Sequence, residues 1–347
     1  FLASSHNAPI SCDKRNLDAR LWLNKKFETK PIGLALPLRW DMNKVKDADT
    51  LSYELFRSWL LAPQNVWLDQ LHLQHKEWLA PLESREELAL NELKRYQLLK
   101  ERFEYLIHQL PDPKNSCLLN QDEHNWEELY AGQGVFPPTN AAFIEYELLS
   151  KRWAQLQSTI NKIGPLGKDL YIDNGTNEEI LWAGEFVVVI ELGKLKAKKT
   201  MEAWLKHLQI CAAEKNLAGT IVIARSTSKS KQNQFEVALR WSPLLKSQAE
   251  NELKKLKALA SKGLEDCWPV PPESGWSYAK ASREGLSKGE KAFKQKWDGV
   301  FNQRGEREAS EMQICYGSNL EAKDFLENAE FHQACSSLYD LLLKSLI

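Results

Sequence analysis

Two carboxylates and a run of lysines lie close together between residues 185 and 199, and these residue types suit metal-assisted hydrolysis of a phosphodiester. Glu185 and Glu191 flank the apolar segment FVVVI, and four lysines follow it: Lys194, Lys196, Lys198 and Lys199. Carboxylates can hold a divalent cation that activates water, and a nearby lysine can stabilise the negative charge that develops. This chemistry requires neighbouring strands that present the carboxylates to one cation.

The order of elements around this segment is similar to that of the metal-dependent nuclease fold. In that fold one strand presents an Asp, and the next presents Glu or Asp, one further residue, and then Lys. Here Val187 stands in the place of the aspartate, and Gly193 stands in the place of the lysine. In a shifted register Glu191 itself replaces the lysine. Valine cannot ligate magnesium, so we expect no catalytic residues, no metal and no cleavage of DNA at this site.

Charge is balanced over the whole chain but segregated along it. Residues 193–307 contain 23 Lys and Arg against 12 Asp and Glu, although the net charge of the protein is −1. Such segregation indicates an anionic partner, and DNA phosphates are one candidate. The predicted phosphate contacts are Lys194, Lys196, Lys198, Arg283 and Arg304. The aromatic residues Trp276, Tyr278 and Trp297 could stack on bases or wedge at a fork; the other interpretation is that they fill the core.

Two further hypotheses stay open at the level of sequence. The first is an active nuclease with rearranged ligands, in which Asp173, Glu185 and Glu191 gather around a cation and Lys194 or Lys196 supplies the charge. The second is a protein-docking scaffold that makes no contact with DNA.

Hydrophobic periodicity predicts a mixed α/β protein. Helices are expected from Thr50 to Pro63, where Thr50 or Ser52 caps, and over residues 84–110, 141–160 and 200–213. A further helix is expected over 242–262, closed by Gly263 as a C-cap. Strands are expected at 169–173, 179–182, 186–192, 219–224 and 235–241. The predicted organisation is a connector (1–40), a mainly helical part (41–165) and an α/β core (166–347) of degenerate PD-(D/E)XK, restriction-endonuclease-like type.

Other classes of function lack their signatures. The chain has no GxxxxGK[ST], GxGxxG, GxSxG or HExxH motif, and its six cysteines form no CxxC pair. No apolar run approaches the roughly 20 residues that span a bilayer. The first residues show no basic segment followed by an apolar one, so we expect no secretory signal. The first residue is Phe1, so we expect a piece of a longer polypeptide.

Several segments resemble the C-terminal region of the RecC family, the gamma subunits of exodeoxyribonuclease V (RecBCD). They are LSYELFRSWLLAPQNVWLDQLHL (51–73), ELALNELKRYQLLKERF (87–103), GVFPPTNAA (134–142), GKLKAKKTMEAWLKHLQICA (193–212), CWPVPPESGWSYAKA (267–281) and WDGVFNQRGERE (297–308). The resemblance covers roughly residues 50–347. It implies a nuclease-like domain without catalysis that handles duplex and single-stranded DNA at the fork.

The same resemblance implies partners and a setting. The expected partners are RecB-like and RecD-like subunits, in bacterial cytoplasm, during double-strand-break repair by recombination. In the related AddB subunit, cysteines bind an iron–sulfur cluster, and the first of these cysteines precedes a proline. That position here resembles Ala62 before Pro63, so no cofactor is expected. The modules that recognise Chi would lie upstream of this segment.

Overall fold

The computed structural model describes residues 51–73, 89–119, 125–138, 140–173, 176–213, 218–231, 233–300 and 303–347. Within these ranges the protein is a mixed α/β fold with twelve α-helices and one mixed sheet of five strands. The predicted connector over residues 1–40 lies outside the described residues.

The five strands follow one another across the sheet in chain order. Their bounds are β1 Leu166–Asp173, β2 Thr176–Ala183, β3 Phe186–Lys194, β4 Gly219–Arg225 and β5 Phe235–Trp241. Strands β1, β2 and β3 form an antiparallel meander, β3 and β4 are parallel, and β4 and β5 are antiparallel. The parallel pair requires a crossover, which helix α6 (Ala197–Ala212) provides. All five strands predicted from the sequence are confirmed.

Helices precede and follow the sheet. The helices before it are α1 Tyr53–Leu61, α2 Pro63–Gln70, α3 Glu92–Gln109, α4 Trp126–Gly132 and α5 Asn140–Asn161. Those after it are α7 Lys246–Glu265, α8 Pro272–Ser282, α9 Leu286–Asp298, α10 Ser310–Tyr316, α11 Ala322–Leu326 and α12 Ala329–Lys344. A small hairpin of β6 (Gly299–Val300) and β7 (Gln303–Arg304) follows α9.

Each face of the sheet is covered by its own apolar core. Because side chains alternate along a strand, Val222 of β4 faces one core while Ile221 and Ile223 face the other. The first core joins α1, α2 and α6 to the helices after the sheet, and the second joins the sheet to α3, α4 and α5. The helices predicted as one N-terminal part therefore divide between the two faces of the sheet.

Local signals set some helix ends but not others. Ser52 caps α1 as predicted, since its Oγ accepts a hydrogen bond from the Leu55 amide at 3.3 Å. The prediction of one continuous helix from residue 84 is wrong, because residues 89–90 are not helical and Asn91 caps α3. Gly263 does not end α7 either; it lies inside the helix, where a Cβ would collide with the Trp59 ring.

Candidate functional site

The position expected for a catalytic aspartate is part of a dry apolar cluster. Val187 lies on β3 opposite Trp182 of β2, and none of its surface is exposed. It packs with Ile180, Trp182 and, from α6, Ile210. The side chains of this cluster offer no carboxylate to a cation, so the residues present do not fit a metal ligand here.

The position expected for a catalytic lysine is filled by neighbouring side chains. Glu191 is buried, and its Oε1 accepts a hydrogen bond from the Gly193 amide at 2.8 Å. A Cβ added to Gly193 would lie 3.0 Å from that Oε1 and 3.6 Å from Cδ2 of Tyr96. The Tyr96 ring of α3 and the Glu191 carboxylate thus occupy the space into which a longer side chain would extend.

The rearranged ligand set does not converge. Glu185 lies in the turn before β3, six residues from Glu191, which corresponds to roughly 20 Å along an extended chain. Asp173 lies at the opposite end of the β1–β2 hairpin, where its partner is Thr176. Ligands of one cation must lie within about 2.6 Å of it, so Glu185 and Glu191 cannot share an ion. Within the described residues no group of three or more His, Cys, Asp or Glu side chains could hold a metal.

The lysines after β3 form an exposed group at the start of α6. The side chains of Lys194, Lys196 and Lys198 are exposed, and Lys196 is the N-cap residue of α6. The side chain of Lys196 makes no capping hydrogen bond to the first backbone amides of this helix. Instead the Ala197 amide donates to Oε1 of Glu273 at 3.0 Å, which ties the start of α6 to the first turn of α8.

A second carboxylate extends this connection to the hairpin that carries Arg304. The Glu306 carboxylate accepts hydrogen bonds from the Glu273 amide at 2.9 Å and from the Ser274 amide at 2.7 Å. Both amides belong to the first turn of α8, whose N-terminus favours negative charge. Two glutamates therefore join the start of α6, the start of α8 and the segment just after Arg304.

Helix packing brings the two basic stretches near Glu273, because Ala197, next to Lys196, binds Glu273 of α8 and α9 packs against α8. Burial raises the pKa of Glu273, while its hydrogen bond from Ala197 and the charges of Lys296 and Lys196 oppose that rise. Lys196 belongs to the stretch after β3, and Lys296 belongs to α9, a hundred residues later. Since such charge effects act at close range, the folded chain brings both stretches to one surface.

The two predicted arginines lie at different ends of this surface. Arg304 is exposed on β7, where it pairs with Gly299 of β6. Because Gly299 directly follows α9, Arg304 lies close to the last turn of that helix, which contains Lys296. Arg283 is exposed and ends α8, about 15 Å along the helix from Glu273. We use "basic surface" below for Lys194, Lys196, Lys198, Lys296 and Arg304, with Arg283 as its outlying member.

The three aromatic residues predicted to contact bases lie in the core. Trp297 is 1% exposed and its indole N–H donates to the Leu320 carbonyl at 3.2 Å. Trp276 is 8% exposed, and Tyr278 is 7% exposed with its hydroxyl 3.0 Å from Nδ1 of His332. As packed, these rings present no free face to a base, which favours the interpretation that they fill the core.

A polar cavity that sequence reasoning missed lies beside Glu191. It has a volume of about 480 Å³ and is lined by side chains of α1, α3, α6 and β3, among them Tyr53, Arg57, Tyr96, Lys199 and Glu202. Glu202 accepts hydrogen bonds from Arg57 and, at 2.8 Å, from Lys199. Arg57 and Tyr96 lie some 100 residues or more before Glu202, and no local pattern marks them as its neighbours.

No helix of the described residues has the length and apolar character needed to cross a membrane.

Comparison with known proteins assigns most of this structure to one family. Residues 48–283, about two thirds of the chain, match the family described as the RecC C-terminal domain. The match runs from the start of α1 to the end of α8 and includes the whole five-stranded sheet. Among curated proteins, no sequence matches the chain significantly. The family match confirms the resemblance for the five segments that lie within residues 48–283; the segment 297–308 lies outside the matched region. With α1, the sheet and α8 all inside the matched region, this chain belongs to the RecC C-terminal domain family.

Proposed function

We propose that the chain is a non-catalytic C-terminal part of a RecC-like subunit of the RecBCD helicase–nuclease (exodeoxyribonuclease V). In this proposal the basic surface contacts the phosphates of DNA at the fork, and other surfaces dock RecB-like and RecD-like subunits. The whole assembly acts in double-strand-break repair, while this part of it cleaves nothing.

The arrangement of the sheet supports a degenerate nuclease-like core. Strands β2 and β3 form a hairpin, lysines follow β3, and α6 leads to the parallel strand β4, in the order expected of the nuclease scaffold. Val187 and Gly193 stand where that scaffold would need a ligand and a charge-stabilising lysine. The apolar cluster around Val187 supports the loss of catalysis, since it offers no oxygen ligand to a cation.

The observation that carries DNA contact is the joining of the two basic stretches at α8, where Glu273 accepts the amide of Ala197, next to Lys196, and where α9, which carries Lys296, packs against α8. Separate lysines on a surface are common, but two basic stretches joined through the partly buried hydrogen bonds of Glu273 and Glu306 form a fixed positive surface. Phosphates bound by such a surface release condensed counterions, which makes the affinity fall as salt rises. The aromatic core residues take no part in this contact.

The test is a salt titration of the affinity of the full chain for forked DNA, measured by fluorescence anisotropy. Each phosphate contact contributes about 0.9 to the slope of log K against log salt on duplex DNA, so Lys196→Ala and Lys296→Ala should each lower the slope by about that amount. Lys151→Ala is the matched control, because Lys151 is an exposed lysine on α5 that pairs with Glu147. An affinity for forked DNA that does not depend on salt, or equal salt slopes for all three variants, would refute the proposed contact with DNA phosphates.

A nuclease assay separates this proposal from the enzymatic alternative. We expect no product when the full chain is incubated with linear DNA and Mg²⁺ or Mn²⁺. Cation-dependent product that disappears in Glu191→Ala would overturn the non-catalytic assignment.

The start of α5 supports the docking part of the proposal. Phe143 and Ile144 are consecutive and are 59% and 64% exposed, although both are large and apolar. Exposed apolar neighbours are typical of protein–protein contacts. Phe143→Asp should weaken co-purification with a RecB-like or RecD-like subunit, whereas Leu245→Asp, at an exposed leucine before α7, should not. Equal retention of both variants would argue against docking through α5.

A further inference from the structure

The lining of the cavity beside Glu191 includes Lys199 together with Glu191 and Glu202. Lys199 lies in the first turn of α6, and its Nζ donates to Oε2 of Glu202 at 2.8 Å. Arg57 of α1 binds the other oxygen of Glu202. Glu191 reaches the same cavity from β3 and uses its Oε1 to accept the Gly193 amide.

The Lys199 ammonium donates to Glu202, and Glu191 lines the same cavity and acts on Lys199 through its charge. Burial favours the neutral amine, but the hydrogen bond to Glu202 and the charges of Glu202 and Glu191 outweigh burial and raise the pKa of Lys199. Burial and the charge of Glu191 also raise the pKa of the Tyr96 phenol, while Lys199 opposes that rise. The ammonium, the phenol and the two carboxylates therefore form one cluster, in which Tyr96 and Lys199 remain protonated at neutral pH.

We propose that the Lys199 ammonium is a built-in counter-ion, which takes the place of a divalent cation between Glu191 and Glu202. This inference rests on the proposed nuclease-like core, because Glu191 belongs to the strand that would present ligands in an active scaffold. It assigns a reason for the absence of metal binding besides the missing ligand at Val187 and the missing lysine at Gly193. In this view the ammonium of Lys199 neutralises the negative charge of the Glu191 and Glu202 carboxylates.

The physical argument is competition between a tethered cation and a dissolved one. Two carboxylates that share a partly buried cavity repel each other, and a nearby positive charge removes that repulsion. Lys199 supplies this charge from the same chain, at a high effective concentration and with no dissociation. A divalent ion could bind Glu191 and Glu202 only after displacing the ammonium, and the Tyr96 ring restricts the space beside Gly193.

The experiment removes the internal cation and looks for a gain of metal binding. Mn²⁺ binding to the full chain is measured from the electron paramagnetic resonance signal of free Mn²⁺, and the melting temperature is followed with and without Mn²⁺. Lys199→Met keeps the length of the side chain without its charge, and should raise Mn²⁺ affinity by about tenfold or more and make the melting temperature depend on Mn²⁺. Lys199→Arg should behave as the wild type.

Matched variants identify the ligands. Lys198→Met removes the exposed neighbouring charge and should not create Mn²⁺ binding, and the double variant Lys199→Met/Glu191→Gln should lose the gain. A folded Lys199→Met protein without a gain overturns the inference, as does wild-type Mn²⁺ binding that Glu191→Gln abolishes. The salt slope of DNA binding is measured on the same proteins. If the salt slope of DNA binding is as proposed but Lys199→Met gains no Mn²⁺ binding, only the counter-ion inference is refuted. The proposed function then remains intact.

Discussion

A single carboxylate on α3 holds three arginines from different parts of the fold, and its removal provides a quantitative test. Oε1 of Glu92 accepts hydrogen bonds from Arg95 at 2.8 Å and from Arg152 at 2.9 Å, and Oε2 accepts from Arg152 at 3.2 Å and from Arg225. Arg152 of α5 is 3% exposed, and Arg225 ends β4. Glu92 therefore connects α3 and α5 to the sheet.

The expected loss of stability follows from the pKa of Glu92. Burial opposes ionisation, but hydrogen bonds from the three arginines lower the pKa from 4.5 to about 2. A shift of this size corresponds to about 3 kcal/mol of unfolding free energy. Because the side chain is 50% exposed, solvent screening reduces this contribution to about 1.5 kcal/mol. Glu92→Gln also leaves the buried Arg152 without its anion, so we expect a total loss of about 2 kcal/mol.

The pH dependence has a definite sign. The folded pKa is lower than the unfolded one, so the contribution of Glu92 is complete above about pH 4.5 and is lost as the pH falls through about 2. Urea unfolding of the wild type and of Glu92→Gln should differ by about 2 kcal/mol at pH 7 and by less than about 1 kcal/mol at pH 3.

Glu104→Gln is the matched control on the same helix. Glu104 pairs only at the surface with Lys100, at 3.2 Å, and both side chains are 56% exposed, so its loss should cost less than about 0.5 kcal/mol. The reasoning is refuted if the two variants lose equal stability at pH 7, or if the difference between wild type and Glu92→Gln is the same at pH 3.

Two further predictions concern packing and titration. Gly263→Ala should destabilise the protein by about 2 kcal/mol in urea unfolding, because its Cβ would overlap the buried Trp59 ring; Gly132→Ala, with no atom within 4 Å, should be neutral or slightly stabilising. A stabilised Gly263→Ala protein would contradict this packing. Burial outweighs three hydrogen bonds and raises the pKa of Glu306 to about 7, so the wild type should lose about 3 kcal/mol as pH rises from 4.5 through 7. Glu306→Gln should lack this loss in thermal unfolding across that range, and an unchanged pH profile would disprove the assignment.

Local patterns predicted the elements around the sheet well. All five strands and α6 appear where β-branched runs and a 3.6-residue period place them, since these patterns arise from faces that must be buried in any compact fold. Ser52 caps α1 for a similar reason, because its hydroxyl bonds an amide three residues away. The periodicity analysis predicts no helix after residue 266, where the described residues form five.

Competing contacts explain the local predictions that were wrong. Gly263 is a common type of C-cap residue, but here the close approach of Trp59 to the backbone requires glycine inside α7. The predicted start of α3 was too early because Asn91 caps the helix at the Lys94 amide, 2.9 Å away. Leu90, just before it, is buried and donates its amide to Glu145 of α5.

The amino-acid sequence alone was sufficient for the mixed α/β class, the strand positions and the resemblance to the RecC C-terminal domain, because these depend on residue type and local spacing. Only the tertiary structure joined the stretches of Lys196 and Lys296 through α8, placed Lys199 in one cavity with Glu191 and Glu202, and buried Trp297. Contacts between residues 76 positions apart, such as that of Ala197 with Glu273, form when whole helices dock on the sheet. Docking is decided by the combined burial of many side chains, and no short segment of the chain contains that information.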